Sequence, residues 1–437
     1  MFCPESCQDS VFCRLRFRLS RLPDRRAVLF AAPARPDYTR GLASPFYRHM
    51  FFDVIIVGGG LVGCSLALSL SAAGLKIALV ESGAASTVAP TADWDSRIYA
   101  LGPGSVDYLT QCGAWQAVDA ARTMPVEDMR IVGDDARSGL DFSAYEAGLR
   151  ELAVIVENRQ VQAALWRTLQ DYPEVVLHAP AECADLQLDH DAAVLTLGDG
   201  RSLRARLVVG ADGGNSWVRQ AAGMTATAQP YGQTAVVANF ETDLPHGAIA
   251  RQWFRRDGIL ALLPLPGQRV SMVWSTRKEH ADELMHLPPP ALAAQVAAAS
   301  ARQLGELRVI TAVAAFPLRL QRVPALIKPR LALVGDAAHN VHPLAGQGVN
   351  LGFRDARELT AVLAARGAQQ DCGDYYLLRR YERARREDIA AMQLTTDTLQ
   401  RLFNNEVPLL GAMRNFGLRL ANRGGALKNL LVQHAVG

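Results

Sequence analysis

Two glycine-rich segments decide the fold of this chain: residues 335–350, which read GDAAHNVHPLAGQGVN, and residues 58–63, which read GGGLVG and lie far upstream. Each motif alone is a weak signal, because glycine-rich loops occur in many folds. Both motifs in this order are typical of a chain that wraps one dinucleotide from two distant segments. The pattern therefore favours a flavin enzyme over a simple nicotinamide dehydrogenase.

The upstream motif sits in a complete strand–helix–strand unit. Residues 52–57, FDVIIV, form a short apolar run that predicts a buried parallel strand, and residues 61–73 predict a helix. Residues 76–80, KIALV, predict a second strand, which Glu81 closes. These elements in this order indicate a dinucleotide-binding unit. FAD and NAD both use this unit, so it does not distinguish between them.

Each part of the unit has a physical role in holding a dinucleotide. Gly58 permits a tight turn, Gly60 lets the backbone approach a pyrophosphate, and Gly63 allows close packing between helix and strand. The helix N-terminus presents free N–H groups and a partial positive charge to phosphates. Glu81 can accept hydrogen bonds from a ribose diol, and its charge would repel a 2′-phosphate.

Two later segments each show a buried strand that delivers a polar turn. Residues 207–210 run into Asp212 and Gly213, a combination that alone is more often a surface turn than a site. Residues 331–334 lead to Asp336, which is placed to bind ribityl or ribose hydroxyls.

A helix is predicted after the second glycine-rich segment, from about residue 350 to residue 365. Its N-terminus near Gly348 could stabilise negative charge on a reduced flavin. We interpret His339 and His342 as loop histidines rather than metal ligands, because no third ligand is close in the sequence.

The three segments resemble the fingerprints of the class A flavoprotein monooxygenases, the group around p-hydroxybenzoate hydroxylase. The resemblance extends over nearly all of residues 51–437. Finer features are similar to the ubiquinone-biosynthesis hydroxylases of the UbiH, UbiF and UbiI type. Residues 95–105 match their D-x-R-x-x-A-L-x-x-x-S stretch, residues 156–159 read VENR, and residues 335–363 read GDAAHNVHPLAGQGVNLGFRDARELTAVL.

The resemblance implies an α/β fold like that of p-hydroxybenzoate hydroxylase. We expect a discontinuous Rossmann-type FAD-binding domain at residues 51–224 and 326–370. An inserted, mostly antiparallel β-sheet domain for the substrate is expected at residues 225–325. Residues 371–437 are expected to form a helical C-terminal tail, in which the basic run at residues 379–386 predicts a solvated helix face.

The resemblance also implies the chemistry. The chain would bind FAD, take electrons from NAD(P)H and use O₂, and a flavin C4a-hydroperoxide would hydroxylate the ring of a polyprenylated ubiquinone precursor, a polyprenyl-phenol. We assign no catalytic side chain and no metal. The expected cofactor-binding residues are Gly58, Gly60, Leu61, Val62, Gly63, Glu81, Arg97, Arg159, Asp212, Gly213, Gly335, Asp336, Pro343, Gly346, Gln347, Gly348, Val349 and Asn350.

Composition limits the other classes of protein. Hydrophobic residues make up 49% and charged residues 20%, as in soluble globular domains, and no run of about 18 uncharged apolar residues predicts a membrane-spanning helix. Residues 1–49 hold nine Arg, no Lys and four acids, so the net charge of +3 is concentrated there and a nucleic-acid binder is not indicated. We expect a disordered or mis-started extension at residues 1–49, with a mitochondrial-type presequence as the alternative.

Several functional alternatives stay open. A hydroxylase of the same fold for a small soluble aromatic compound would have a polar or Arg-lined pocket. A reductase of prenyl double bonds and a non-catalytic flavin-binding subunit are further candidates. Trp253, Phe254, Met272 and Trp274 could line an apolar cavity or belong to the core.

The composition after Arg401 mixes apolar and basic residues. It suits either a helix against an anionic membrane or a partner protein, or a helical lid on the rest of the chain. We expect a cytoplasmic enzyme with peripheral contact to the inner membrane or to a complex of ubiquinone-biosynthesis proteins. The scattered cysteines fit a reducing compartment.

Overall fold

The computed structural model describes residues 51–85, 93–133, 139–255, 257–340, 347–367 and 369–403, with the backbone alone at 347, 395, 396 and 398–403. In chain order the strands are β1 (Phe51–Val57), β2 (Ile77–Val80), β3 (Ile98–Leu101), β4 (Met124–Val126), β5 (Asp128–Val132), β6 (Gly139–Ser143), β7 (Ala153–Glu157), β8 (Val175–His178), β9 (Cys183–Leu188), β10 (Ala193–Leu197), β11 (Ser202–Gly210), β12 (Thr227–Thr242), β13 (Ile249–Arg255), β14 (Gly258–Leu265), β15 (Arg269–Arg277), β16 (Leu307–Val309), β17 (Ala314–Arg322), β18 (Ile327–Lys328), β19 (Leu331–Leu333) and β20 (His339–Asn340). The helices are α1 (Leu61–Ala72), α2 (Pro103–Gln111), α3 (Asn158–Leu169), α4 (Trp217–Ala221), α5 (Lys278–His286), α6 (Pro289–Ala299), α7 (Gln347–Ala364) and α8 (Tyr375–Phe403).

The first sheet contains a parallel core in the order β19–β11–β1–β2–β8. The buried parts of these strands are nearly continuous runs of Val, Ile, Leu and Ala, as expected for strands that are covered on both faces. β18, β10 and β9 extend the sheet in antiparallel pairs. α1 follows β1 and returns the chain to β2, so the predicted strand–helix–strand unit is present.

Three neighbouring strands of this sheet end at the same edge. The last residues paired are Val57 of β1 with Gly210 of β11, and Gly210 with Leu333 of β19. Because parallel strands share a carboxyl edge, the three loops that follow these residues lie side by side.

The second sheet runs in the order β20–β17–β12–β15–β14–β13–β5–β6, with β16 beside β12. It is antiparallel except where β5 pairs with β13. Apolar residues of α5 and α6 pack on one face of it together with Trp253, Met272 and Trp274, which belong to the core. β3, β7 and β4 form a smaller antiparallel sheet.

The two helices that the sequence predicts at the glycine-rich segments are present. The helix expected over residues 61–73 spans Leu61–Ala72. The helix expected from about residue 350 starts earlier, since it spans Gln347–Ala364.

The predicted domain boundaries stay a prediction. β5 and β6 come from the range assigned to the FAD-binding domain, yet they complete the second sheet. Residues 1–50 and 404–437 lie outside the described residues. Among the described residues, no helix combines the length and the apolar character that a bilayer-spanning segment needs.

The prediction of a solvated face for residues 379–386 is wrong in part. These residues lie in α8, which packs against α7 and β18. Tyr381, Glu382 and Arg385 are buried, because helical spacing of three and four residues places them on the same side of α8. The basic run therefore has one solvated side and one side that carries buried polar groups.

Substitution of Gly63 by alanine tests the close packing between α1 and the loop before it. A Cβ at Gly63 would lie 1.9 Å from the carbonyl oxygen of Gly58, so the helix would have to move away. We expect Gly63→Ala to lower the free energy of unfolding by about 1–3 kcal/mol, as at other overpacked sites. Urea unfolding of the ligand-free protein measures this change.

Gly60→Ala is the matched control on the same loop. A Cβ at Gly60 meets no atom within 4 Å, so only the weaker capping preference of alanine should reduce stability, by less than about 1 kcal/mol. Equal losses for the two variants would contradict the packing role of Gly63.

Candidate active site

The loop after β1 packs directly against the loop after β11. Gly58 has φ +110°, which side chains other than glycine rarely adopt, and a Cβ there would lie 2.4 Å from the carbonyl oxygen of Ala211. With Gly63 against its other side, this loop has a fixed backbone shape, as the sequence predicts for a tight turn and a closely packed helix.

A cavity of about 860 Å³ extends from these loops to the second sheet. Its volume is in the usual range for small-molecule and cofactor sites. The predicted cofactor-binding residues that line it are Gly60, Leu61, Val62, Arg97, Gly213, Gly335, Asp336, Gly348 and Val349. The N-termini of α1 and α7 and the turns after β11 and β19 therefore meet around one space.

The remaining predicted residues fall into two groups. Pro343 and Gly346 lie outside the described residues, and Gln347 is described by its backbone alone. The residues that do not line the cavity are Gly58, Gly63, Glu81, Arg159, Asp212 and Asn350.

The N-terminus of α1 fits a diphosphate. Gly60 is its N-cap residue, and no side chain among the described residues caps the helix. The first turn of α1 holds no acidic residue, so its N–H groups and the partial positive charge of the helix are available to an anion in the cavity. The empty space in front of Gly60, which a side chain would fill, completes this cradle.

Glu81 holds the same loop together. Its carboxylate accepts hydrogen bonds from the backbone N–H of Gly59 at 2.5 Å and of Gly83 at 2.8 Å. The carboxylate is half-buried and has further acceptor capacity. Its predicted contact with a ribose diol stays a prediction.

The carbonyl oxygen of Gly59 is a point of contact that the sequence did not indicate. Three donors converge on it: Gln162 Nε2 at 2.6 Å, Trp166 Nε1 at 3.1 Å and Cys64 Sγ at 3.0 Å. Gln162 and Trp166 belong to α3, about a hundred residues further along the chain. α3 therefore fixes the loop, and Gln162 also lines the cavity.

Asp95 organises the segment that carries Arg97. Its carboxylate accepts from the backbone N–H of Arg97 at 3.0 Å and of Arg159 at 3.2 Å. Its own N–H donates to Glu157 at 2.6 Å, and its carbonyl oxygen accepts from Asn239 at 2.8 Å. These contacts hold the segment against β7, α3 and the second sheet, and the exposed Arg97 lines the cavity.

Glu157 is a fully buried carboxylate behind this segment. Arg122 donates to it through Nε at 2.7 Å and Nη2 at 2.8 Å, and Arg159 donates at 3.2 Å. The side chain of Arg159 thus faces Glu157, so the structure assigns it a supporting contact outside the cavity. Sequence reasoning missed Glu157 and Arg122, because an ion pair between distant residues has no local signature.

The two aspartates of the later motifs have different positions. Asp212 accepts from the backbone N–H of Val218 at 3.0 Å, and its other oxygen is buried without a hydrogen bond among the described residues. The carboxyl of Asp336 is accessible from the cavity. Desolvation by the surrounding protein still raises its pKa above the ordinary value, although the nearby positive charges of Arg97 and Arg319 oppose this shift.

Asn350 ties the start of α7 to the segment after β3. Its Oδ1 accepts from Gly102 N at 3.0 Å and from Ser105 Oγ at 2.7 Å, and its Nδ2 donates to Ala100 O at 2.9 Å. Ala100 and Gly102 line the cavity. Asn350 therefore sets the position of the cavity wall without facing the cavity itself.

The other end of the cavity is mainly apolar. Its wall is formed by β4 to β7 and the second sheet, through Val126, Met129, Phe142, Leu152, Ile155, Val237, Ile259, Leu263 and Val273. Gln252 and Ser275 are polar residues on this wall. Trp253, Phe254, Met272 and Trp274 are buried elsewhere, so the core interpretation of these four residues is correct.

Among the described residues, no group of three or more His, Cys, Asp or Glu side chains is placed to hold a metal ion. His339 is buried in β20 with its Nε2 2.6 Å from Asp355, so it is not a loop residue. His342 lies outside the described residues.

Comparison with known proteins agrees with this geometry. The FAD binding domain family matches residues 52–396. The structure of p-nitrophenol 4-monooxygenase PnpA from Pseudomonas putida DLL-E4 is similar with a TM-score of 0.72 over 89% of this chain and 99% of that one, at 19% identity. This likeness confirms the expected p-hydroxybenzoate-hydroxylase-like fold. The family match over most of the chain, together with relatives named as hydroxylases and monooxygenases at 30% identity or more, defines an FAD-dependent monooxygenase.

Two relatives identify the family more closely. Ubiquinone hydroxylase UbiL of Rhodospirillum rubrum is 37% identical over 386 residues, which cover 88% of this chain and 89% of the relative. The 3-demethoxyubiquinol 3-hydroxylase of Escherichia coli K12 is also 37% identical, over 88% of this chain and 98% of that enzyme. The chain therefore belongs to the family of the ubiquinone-biosynthesis hydroxylases, as the sequence predicts.

Glu157→Gln tests the buried ion pairs behind the Arg97 segment. The substitution removes the negative charge that Glu157 presents to Arg122 and Arg159, and it leaves a weaker acceptor for the N–H of Asp95. We expect the free energy of unfolding to fall by about 3 kcal/mol. This value is the lower end of the range for a broken buried ion pair, because the side chains of both arginines are partly exposed to water. FAD binding should weaken as the segment loosens. Urea unfolding and FAD titration measure the two effects.

Glu151→Gln is the matched control, since Glu151 pairs with the exposed Arg150 at 3.3 Å. An exposed pair contributes only about 0–1 kcal/mol, and this one does not touch the cavity. A Glu157→Gln protein as stable as the Glu151→Gln protein would contradict the supporting role of Glu157.

Proposed function

We propose that this enzyme hydroxylates the aromatic ring of a polyprenylated ubiquinone precursor. The observation that carries the proposal is the shape of the cavity, which joins a dinucleotide cradle at the edge of the first sheet to a mainly apolar space under the second sheet. The names of the two relatives, which are 37% identical to this chain, give the class of substrate.

FAD is proposed to lie along the predicted residues that line the cavity. The N–H groups of Leu61 and Val62 would bind its diphosphate, and Asp336 would accept from its ribityl hydroxyls. Gly348 and Val349 open α7, whose partial positive charge would stabilise negative charge on the pyrimidine side of the ring. When bound, FAD supplies the electron transfer and the activation of O₂ that hydroxylation requires.

The contribution of the chain is to position the ring and to exclude water. The apolar wall offers few groups that hold water beside the flavin, and it suits a phenol ring with an attached prenyl chain. Gln252 and Ser275 are the polar groups on this wall that could orient a ring oxygen. No side chain is assigned as a general base.

NAD(P)H is proposed as the electron donor. Arg97 and Arg319 both line the cavity and place positive charge beside the proposed flavin site. A dinucleotide with two phosphates would be attracted to this region. Rates of flavin reduction with NADH and with NADPH would distinguish the two donors.

Peripheral contact with the inner membrane is proposed on the chemistry of the substrate. A polyprenyl chain partitions into the bilayer, so the enzyme must take its substrate from there or from a partner protein. This contact and a complex with other ubiquinone-biosynthesis proteins are consistent with the apolar part of the cavity.

A small soluble aromatic acid fits the same cavity less well. Such a substrate requires a buried cation or several hydrogen-bond donors on the ring side. The cations that line the cavity, Arg97 and Arg319, belong to the cofactor side and not to the apolar wall.

Complementation of ubiquinone synthesis tests the proposal. The full chain is expressed in bacterial strains that each lack one ring hydroxylase of the pathway, beginning with an Escherichia coli strain without 3-demethoxyubiquinol 3-hydroxylase. We expect restored ubiquinone in one of these strains, measured by quinone extraction and mass spectrometry, and this strain identifies the ring position. The Asp336→Ala variant should fail to restore ubiquinone, because it would lose an FAD contact.

The contrary result is equally definite. If no strain recovers ubiquinone although the protein purifies with bound FAD, the substrate class is wrong and the small aromatic compound becomes the better candidate. If the protein purifies without FAD and cannot be loaded with it, the proposed site itself is wrong.

A further inference from the structure

Asp355 of α7 is a fully buried carboxylate directly behind the turn after β19. Its Oδ2 accepts from the backbone N–H of Gly335 at 2.9 Å and from His339 Nε2 at 2.6 Å. Gly335 has φ +60°, in the left-handed region, and the next residue is Asp336. The carboxylate of Asp355 therefore holds the turn that presents Asp336 to the cavity.

Arg385 of α8 completes this network from the other side. Its Nε donates to Asp355 Oδ1 at 2.7 Å, and its Nη1 donates to Asp388 Oδ2 at 2.6 Å. Burial alone would lower the pKa of the guanidinium, but Asp355 and Asp388 outweigh burial and raise that pKa. Burial alone would likewise raise the pKa of Asp355, but His339 and Arg385 hold it below the ordinary value.

Two further buried contacts join α8 to β19 and to the residue before β18, the strand that pairs with β19. Tyr381 Oη donates to the carbonyl oxygen of Leu333 at 2.8 Å, and Leu333 is the last residue of β19. Glu382 accepts from the backbone N–H of Leu326 at 2.9 Å. α8 is thus anchored behind β19, the strand that leads to Gly335, although it begins only after the second glycine-rich segment and the whole of α7.

We propose that Arg385 is a positioning residue for cofactor binding, which acts through Asp355 to hold the turn of Gly335 and Asp336 in the conformation that receives FAD. Arg385 does not line the cavity, so its effect is indirect. The inference rests on the proposed placement of FAD beside Asp336.

The physical reason lies in the cost of a buried charge. Without Arg385, the Asp355 carboxylate keeps two donors, Gly335 N–H and His339, and its Oδ1 loses its charged partner. A buried carboxylate in this state attracts water or shifts toward other donors. Either change moves the backbone of Gly335 and with it the carboxyl of Asp336.

Arg385→Met tests this role by titration of the apoprotein with FAD, followed by the quenching of flavin fluorescence. The Kd for FAD should rise roughly tenfold or more. The free energy of one hydrogen bond to a buried charge corresponds to about this ratio of dissociation constants. The visible absorption spectrum of the bound flavin should also change, because a shift of the turn of Gly335 and Asp336 alters the wall of the cavity that would hold the flavin. A general loss of stability alone would not alter this spectrum.

Arg354→Met is the matched control. Arg354 lies on α7 with a mostly buried side chain, and its Nη1 binds Asp388 Oδ1 at 3.2 Å instead of Asp355. This variant should keep the Kd and the spectrum of the wild type. A wild-type Kd for Arg385→Met, or the same loss in both variants, would overturn the proposal.

Arg385→Lys decides the question if Arg385→Met does not fold. An ammonium keeps the charge but lacks the planar guanidinium that binds Asp355 and Asp388 together. Its Kd should therefore exceed that of Arg354→Met, and equal values would overturn the proposal. Failure of the wild-type apoprotein to bind FAD would instead contradict the proposed function.

Discussion

Three parallel strands, β19, β11 and β1, must end side by side for this enzyme to have its site. Their shared carboxyl edge brings together loops that are separated by most of the chain, and these loops line the end of the cavity where we propose that FAD binds. The loops approach each other so closely that Gly58 tolerates no Cβ against Ala211. In the proposed site, backbone N–H groups and the N-termini of α1 and α7 would provide most of the contacts with the cofactor.

The polar loops around the cavity are supported in the same way at two places. Behind the Arg97 segment, the buried Glu157 accepts a backbone N–H from Asp95 and is neutralised by Arg122 and Arg159. Behind the turn after β19, the buried Asp355 accepts hydrogen bonds from the backbone N–H of Gly335 and from His339, and Arg385 neutralises its charge. In both cases a buried carboxylate fixes the backbone and an arginine offsets its charge.

The glycine-rich loops could be predicted from the sequence because their meaning is local. Strand, turn and helix signals lie within about thirty residues, and Gly58, Gly60 and Gly63 each have a distinct steric role. The pairing of Gln162 with Gly59 and of Arg385 with Asp355 could not be predicted, because each joins residues from separate elements. Arg385 lies in a run of arginines, and the sequence does not distinguish it from its exposed neighbours. Only the packing of α8 against the rest of the protein buries it. For Arg159, the cofactor contact that the family resemblance implies stays a prediction, and its contact with Glu157 is one that the sequence does not indicate.

The most direct test of a cavity that joins a flavin cradle to an apolar wall is a coupling measurement on the purified, FAD-loaded enzyme. Two phenols with the same ring, one with and one without a prenyl chain, are compared for hydroxylated product formed per NAD(P)H oxidised. The prenylated phenol should give the higher ratio and the lower KM, because its chain fills the apolar space and excludes water from the flavin. Equal ratios and equal KM values for the two phenols would show that the apolar wall has no part in substrate binding.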